Sequence, residues 1–477
     1  MNQSSRIKNK IKDEILQVVS DKEYVISTTI VGSFITSNDL SGISDIDVII
    51  ILDKLNHFNF NQIINAFQNI ESISLGLEGY EIIINDTFGP LKLNKEKNIV
   101  FHVMIYDIKG HKKHVEDSPF TCFSWEKFSP ILGYSLKEIY PVMNLQLTDI
   151  LNSRRGLFSY LEDIDKGIIT YRKYEFTSLS YKIVKDKFEL DEKHRLEYSF
   201  HITFHLLNNL YKIVSRDTNN LSPKKLIQFF KNLKFLSNAD SLFFIELYKW
   251  KKQKGIKPQN VIFRVQKFIS NFFNSVEVLN KYSIVTSFIR HGKTNLNDNT
   301  FLGKRRDPSI IQGLKFSNND IYEIGYHSQL KRSKETLENF NCKNHIESGL
   351  IDEIDYGLAD GLTLDQLSKK FPKITNSWKQ GEDPRFPEGE NQTDVLERVD
   401  EFFNQFEFNK KALVVTHLVT LRMILKKHLD IELKELYKIK IDHLEKFDIQ
   451  IYKELRFLNF TEEFRNKLRN QLSILYD

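Results

Sequence analysis

Only two of the 477 residues are cysteine, Cys122 and Cys342, far apart and without metal-ligand spacing. That excludes a disulfide framework and a cysteine-built zinc site, and it fits a reducing, cytoplasmic setting. Long hydrophobic runs are missing as well. None approaches the roughly 18 apolar residues of a membrane span, and the polar start MNQSSRIKNK lacks the apolar stretch of a secretion signal. No membrane partner is expected. Charge of one sign is scarce too, because 68 Lys and Arg against 63 Asp and Glu leave a net charge of only +5. Such a balance, with no basic stripe interleaved with aromatics, argues against nucleic acid as a partner and leaves anionic small molecules open. The 41% hydrophobic and 27% charged residues that are present suit a folded globular chain, and the length allows roughly two to four domains.

After a helix expected over residues 5–20, the stretch YVISTTIVGSFITSNDLSGISDIDVIIIL reads as two apolar strands around a polar loop. The first strand, residues 24–31, ends at Gly32-Ser33, and the second, residues 46–52, is entered through Asp45-Ile46-Asp47. Positions i and i+2 of a strand share a face, so the two carboxylates lie side by side and call for a cation. Mg2+ is the expected one, since it takes one or two carboxylates and fills its other positions with water and phosphate oxygens. The small Gly32-Ser33 corner would let a triphosphate reach backbone amides. A strand, Gly-Ser, a short loop and Asp-x-Asp entering a second strand together resemble the DNA polymerase beta-like nucleotidyltransferase superfamily, over about residues 20–110. The resemblance implies an α+β domain that transfers a nucleoside monophosphate from an NTP to an acceptor with the help of bound metal. Gly32 and Ser33 would face the nucleotide, and Asp45 and Asp47 the metal. It also implies a third carboxylate on a later strand. Asp107, closing the strand 99–107, is the expected residue; Glu81 is an alternative, and His102, on the opposite face from Asp107, is another that could face the metals.

Residues 148–280 show helical rather than alternating spacing, as in Leu157, Tyr160, Leu161 and Ile164, or Phe204, Leu207, Leu210, Tyr211 and Val214. An all-α helical domain is expected there, with a turn at Lys254–Pro258. By the same resemblance, such a module closes over the acceptor. His201 and His205 have the spacing of a metal-binding pair, but no third ligand is near in sequence, so a core role is expected.

The stretch YSIVTSFIRHGKTNLN, residues 282–297, is an apolar, β-branched run that ends in Arg290-His291-Gly292. It reads as a buried parallel strand delivering an arginine and an imidazole to its carboxyl end, where α/β sheets place chemistry. An arginine can fork onto a phosphate, and an imidazole beside a bound phosphate can attack phosphorus. The Gly-Lys-Thr is not a Walker A loop, because the glycine needed five residues before Gly292 is Ser287. Downstream, Ser328 is placed to cap a helix carrying Arg332, Glu353 follows an apolar run, and the apolar strand Ala412–Thr416 ends in His417. Arg-His-Gly-Lys-Thr at 290–294, Ser-Gln-Leu-Lys-Arg-Ser from 328 with Thr336, Asp-Glu-Ile-Asp-Tyr-Gly at 352–357 with Asp360-Gly361, Pro-Glu-Gly-Glu at 387–390 with Arg398, and Val-Thr-His at 415–417 occur in this order. So arranged, they resemble the histidine phosphatase superfamily, which includes the cofactor-dependent phosphoglycerate mutases, over about residues 282–460.

That resemblance implies an α/β domain in which His291 is the nucleophile and becomes phosphohistidine. Arg290, Arg332 and a protonated His417 would surround the phosphoryl group, Asn297 would be a neighbouring substrate contact, and Glu353 would protonate the leaving oxygen. No cofactor is required at this site. Two departures, Leu418 where the family has glycine and Asn391 where it has serine, leave the substrate more open than the chemistry. Nothing specifies a mutase, so hydrolysis is expected.

The expected architecture is multidomain: an α+β nucleotidyltransferase domain (1–147), an all-α helical domain (148–280) and an α/β histidine phosphatase domain (281–477). The expected activities are phosphomonoester hydrolysis and metal-dependent nucleotidyl transfer, on NTP and small phosphorylated metabolites, in glycan or phosphometabolite biosynthesis. Two alternatives stay open: a phosphatase whose N-terminal module binds nucleotide without turnover, and a transferase that modifies nucleic acid or protein.

Overall fold

A computed structural model of the chain describes residues 3–37, 45–89, 97–177, 180–253, 260–297, 299–311 and 320–473. The turn expected at 254–258 lies outside the described residues. The chain divides into two compact units, residues 1–277 with 473–477, and residues 278–472.

In the first unit the helix Gln3–Ser20 precedes strands β1 (Val25–Val31), β2 (Ile46–Leu52), β3 (Glu81–Asn85), β4 (Asn98–Asp107) and β5 (Leu132–Gly133). They form one sheet in the order β3-β4-β2-β1-β5. β1 and β2 run antiparallel, while β2 and β3 both run parallel to β4. The sequence dictates this locally: β2 is nearly all isoleucine and valine, stiff at χ1 and suited to a buried pleated surface. Val48, Ile50 and Leu52 face Ile11, Ile15 and Val19 of the first helix and Ile63 and Phe67 of the helix His57–Gln68, all in one core. Pairing register puts Asp47 level with Val31 on one side and His102 on the other.

The region 148–280 departs from the all-helical expectation. Helices Leu147–Asp165, Glu192–Ser215, Pro223–Asn232, Asn238–Lys252 and Val261–Tyr282 are present, but strands β6 (Ile168–Phe176) and β7 (Tyr181–Glu189) form an antiparallel hairpin among them. The hairpin is half-exposed, so its residues carry no clear apolar alternation; Ile169 is buried, and Tyr174, Phe176 and Tyr181 pack on the core that β2 builds. A ribbon held by main-chain pairing, one buried isoleucine and three aromatics leaves little periodic signal. His201 and His205 lie on the helix Glu192–Ser215 with rings 5.8 Å apart and stacked, and no metal-type cluster among the described residues includes them.

The second unit is built on β8 (Ile284–Arg290), β9 (Ile321–His327), β10 (Asn341–Glu347), β11 (Ala412–Thr416), β12 (Lys446–Tyr452) and β13 (Leu455–Asn459), in the sheet order β10-β9-β11-β8-β12-β13. The first four are mutually parallel, and β12 and β13 close one edge antiparallel. Every residue of β11 is buried, as its unbroken apolar run predicts for a central parallel strand. β11 lies between β8 and β9, with Thr416 level with Arg290 and Val415 level with His327. Residues following these three strands therefore emerge at one carboxyl edge of the sheet.

Candidate functional site

At that edge the structure brings Arg290, His291, Arg332, Glu353 and His417 together. His291 follows β8 and His417 follows β11, so adjacency of the two strands sets their rings 4.9 Å apart between centroids. The Nδ1–H of His291 donates to the Gly292 carbonyl at 2.7 Å, which leaves Nε2 as the lone-pair atom. Arg332, fully buried on the short helix Lys331–Leu337, is anchored by NH1 to the Arg306 carbonyl and by NH2 to the Gly303 carbonyl, both at 3.0 Å. Arg290 is held by the Ile441 carbonyl at 2.7 Å. Glu353 sits at the start of the helix Leu418–His428: one carboxylate oxygen accepts from Val419 N and Ile354 N, the other from Leu418 N, each at 3.1 Å. The backbone amide of Leu418 thus serves the Glu353 carboxylate directly.

Three buried nitrogens here, Arg290 Nε, Arg332 Nε and His417 Nδ1, have no hydrogen-bond partner among the described residues. Leaving a buried donor unpaired costs about 1–3 kcal/mol, so a cluster of them marks a place built for an acceptor such as a phosphate oxygen. Burial, reinforced by the charges of Arg332 and Arg290, holds His291 well below the ordinary histidine pKa. His417 is lowered in the same way, by burial and then by Arg332, His291 and Arg290. These surroundings disfavour the protonated His417 expected from the sequence. A neutral ring still has a donor to offer: Ser328 Oγ, which accepts from Leu330 N at 3.1 Å, lies 2.7 Å from His417 Nε2 and can donate its own proton there, leaving the ring proton on Nδ1. Burial raises the pKa of Glu353 above the usual carboxylate value, outweighing the amide bonds and arginine charges that oppose it.

Other expected residues are placed differently. Ser328 is not the helix cap; Leu330 occupies that position, and the serine hydroxyl serves His417 instead. Asn297 turns its side-chain oxygen onto its own loop, accepting from Thr294 N and Thr294 Oγ1 at 2.7 Å each. His443, which sequence reasoning missed, donates through Nδ1 to the His291 carbonyl at 2.9 Å, with its ring 5.1 Å from that of His291. Its loop pairs with Arg290 through Leu444 N and the Glu445 carbonyl. Leu444 holds a left-handed φ of 65° that a branched residue rarely adopts. No local pattern marks His443; only the β8–β12 pairing brings it here.

Thr336 is a further structural support. Its Oγ1 accepts from Gly292 N at 2.8 Å and donates to the Arg332 carbonyl at 2.6 Å, in a fully buried position. Thr336→Val keeps the shape and removes both bonds, so a loss of about 1–3 kcal/mol is expected, read as a lower denaturant midpoint of the full chain. An unchanged midpoint would show that Gly292 finds another acceptor.

In the first unit Asp45, Asp47 and His102 place one ligand atom each within 4.8 Å of one another, the sole such group among the described residues. Gly32, at φ +83°, lies against this cluster; a Cβ there would stand 2.7 Å from Asp47 Oδ2. Asp107, expected as the third metal carboxylate, is not part of it. On parallel β2 and β4, His102 is level with Asp47 while Asp107 is level with Leu52, five residues further along, or roughly 17 Å. Asp107 instead caps the helix Ile108–Asp117, accepting from Gly110 N at 2.7 Å. Glu81 is level with Asn98, four residues short of His102 on β4, and is exposed. The third donor is therefore a nitrogen, which does not match the all-oxygen shell that Mg2+ prefers. Burial works against charge on His102, yet the hydrogen bond and charge of Asp47 carry its pKa above the ordinary value.

Residues 287–455 match the family model described as the histidine phosphatase superfamily (branch 1), and this part of the chain has the α/β fold of that group. The chain is 27% identical over 216 residues to a 6-phosphofructo-2-kinase/fructose-2,6-bisphosphatase of Caenorhabditis elegans, covering 43% of this chain and 46% of that protein. It is 26% identical over 134 residues to a fructose-2,6-bisphosphatase of Saccharomyces cerevisiae, covering 28% of this chain and 29% of that protein. The chain thus spans less than half the length of either relative. With phosphoserine phosphatase 1 of Hydrogenobacter thermophilus the identity is 28% over 148 residues, covering 30% of this chain and 69% of that protein. A solved alpha-ribazole phosphatase from Shigella flexneri aligns over 37% of this chain and 95% of its own, at 17% identity and a TM-score of 0.32. No helix among the described residues is long and apolar enough to cross a membrane.

Proposed function

We propose that the second unit hydrolyses phosphomonoesters of small metabolites, sugar phosphates foremost, through a phosphohistidine at His291. The observation that carries this is the pocket itself: a histidine with its Nε2 lone pair freed, beside Arg290 Nε, Arg332 Nε and His417 Nδ1, which lack partners among the described residues. In the first step His291 Nε2 forms a bond to phosphorus, the ester P–O bond breaks, and Glu353 gives its proton to the departing oxygen. In the second step water attacks phosphorus and gives a proton to the Glu353 carboxylate, and the P–N bond breaks to release orthophosphate. The nitrogens of Arg290, Arg332 and His417 meet the non-reacting phosphoryl oxygens, where charge builds in the transition state. Relatives named for fructose-2,6-bisphosphate and for phosphoserine support a small phosphorylated metabolite as the substrate class. The test is to incubate the full chain with 32P-labelled sugar phosphates and quench in alkali. An alkali-stable, acid-labile phosphoprotein with orthophosphate release is expected, and release without phosphoprotein from any substrate would refute the covalent route.

A second reading concerns the first unit: nucleotidyl transfer from an NTP to a small acceptor. Asp45 and Asp47 side by side, with Asp47 against the Gly32 corner, favour it, and the lack of a third carboxylate in that group among the described residues favours instead a module that binds nucleotide without turnover. Pyrophosphate release with NTP, divalent metal and acceptor, abolished by Asp47→Asn, is expected of a transferase. Release that persists in the variant would remove this assignment.

A further inference from the structure

His102 is buried at the middle of a core strand, and both of its ring nitrogens are committed. Nε2–H donates to the Thr87 carbonyl at 2.8 Å, and Nδ1 lies 2.9 Å from Asp47 Oδ1. Tying the outer nitrogen to a carbonyl fixes the ring and its tautomer, the arrangement that stands behind most metal-binding histidines. Asp45 adds a second carboxylate within the same 4.8 Å group. Ligands sharing one small divalent ion in a tetrahedral shell stand about 3.4 Å apart, given bonds near 2.1 Å, so a small contraction completes the site. Gly32 leaves Asp47 its position, because any side chain there would collide with the carboxylate.

We propose that Asp45, Asp47 and His102 Nδ1 hold one divalent first-row transition-metal ion, from the Mn2+ to Zn2+ series, in preference to Mg2+. Two carboxylates neutralise the ion, and the imidazole nitrogen selects against Mg2+, which demands oxygen ligands and sheds water reluctantly. Three protein ligands leave further positions open for water or an anionic ligand. Binding of this ion does not depend on whether the unit transfers nucleotides, so failure of either reading leaves the other standing.

The test is equilibrium dialysis of the chelator-stripped full chain against Zn2+ or Mn2+, with Mg2+ as competitor and no nucleotide present; the absorption bands of Co2+ report nitrogen ligation. One ion per chain is expected, displaced only by Mg2+ in at least about 100-fold excess. Changes to groups that merely hold a ligand in place weaken metal sites by about 10–100-fold, so loss of a direct ligand in Asp45→Asn or His102→Gln is expected to weaken binding by at least about 100-fold. Asp45 is half-exposed just before β2, so its variant should fold normally even if the buried His102→Gln does not. Three outcomes would overturn the proposal: no uptake, which leaves a plain Asp47–His102 ion pair; equal affinity for Mg2+; or uptake retained in Asp45→Asn, which places the ion elsewhere.

Discussion

His291→Ala is expected to lower kcat by on the order of 10^4- to 10^6-fold, the scale on which loss of a nucleophile acts, and to eliminate the acid-labile phosphoprotein. β8 ends in the pocket, His291 N donates to the Thr416 carbonyl at 2.9 Å, and the ring's Nδ1 is tied to the next residue's carbonyl. Alanine keeps the main-chain bond and the Thr336–Gly292 support, so the pocket should persist while its reacting atom is gone. Binding of inorganic phosphate should survive, because the arginine nitrogens remain. Hydrolysis at the wild-type rate would mean that another group attacks phosphorus.

Glu353→Gln is expected to cut kcat by about 10^2- to 10^4-fold on alkyl phosphates, the range of general acid catalysis. The loss should be far smaller on an aryl phosphate, whose leaving oxygen needs no proton. The same substitution should alter the pH profile. Burial raises the Glu353 pKa, so the acid form persists above the usual carboxylate range and is lost as pH rises through the raised value. Burial and the two arginines lower the pKa of His291, so the nucleophile stays neutral as pH falls below the usual histidine range. The wild-type rate should therefore decline on the alkaline side as Glu353 ionises, with an acid limb below the ordinary histidine value. In Glu353→Gln the alkaline limb attributable to the carboxyl should vanish. An unchanged profile, or equal losses on alkyl and aryl esters, would take the acid role from Glu353.

Between the two units, legibility from sequence differs for a physical reason. In the second, parallel strands are continuous apolar runs, and a charged or imidazole residue at the end of such a run stands out. The runs ending at Arg290-His291 and at Thr416-His417 could be read singly, and the sheet merely sets them side by side. In the first unit the local features were equally plain, since the strands 25–31 and 46–52 and the Gly32 corner lie where the apolar pattern put them. The third donor was not legible. Whether Glu81, His102 or Asp107 meets Asp47 depends on the register of β4 against β2 and of β3 against β4, and a shift of one residue turns every side chain to the other face. The hairpin of β6 and β7 escaped because half-exposed strands carry little apolar alternation.

The inventory was local: which residues end the buried strands, which types they are, and that they suit phosphoryl chemistry could all be read along the chain, because periodicity and residue chemistry are local properties. Tertiary structure alone decided the partnerships. It put Ser328 against His417, His443 against the His291 carbonyl, the Leu418 amide on Glu353, and His102 rather than Asp107 beside Asp47. Each of these joins positions separated by tens of residues or more, and strand order and register, which no local pattern encodes, set which of them meet.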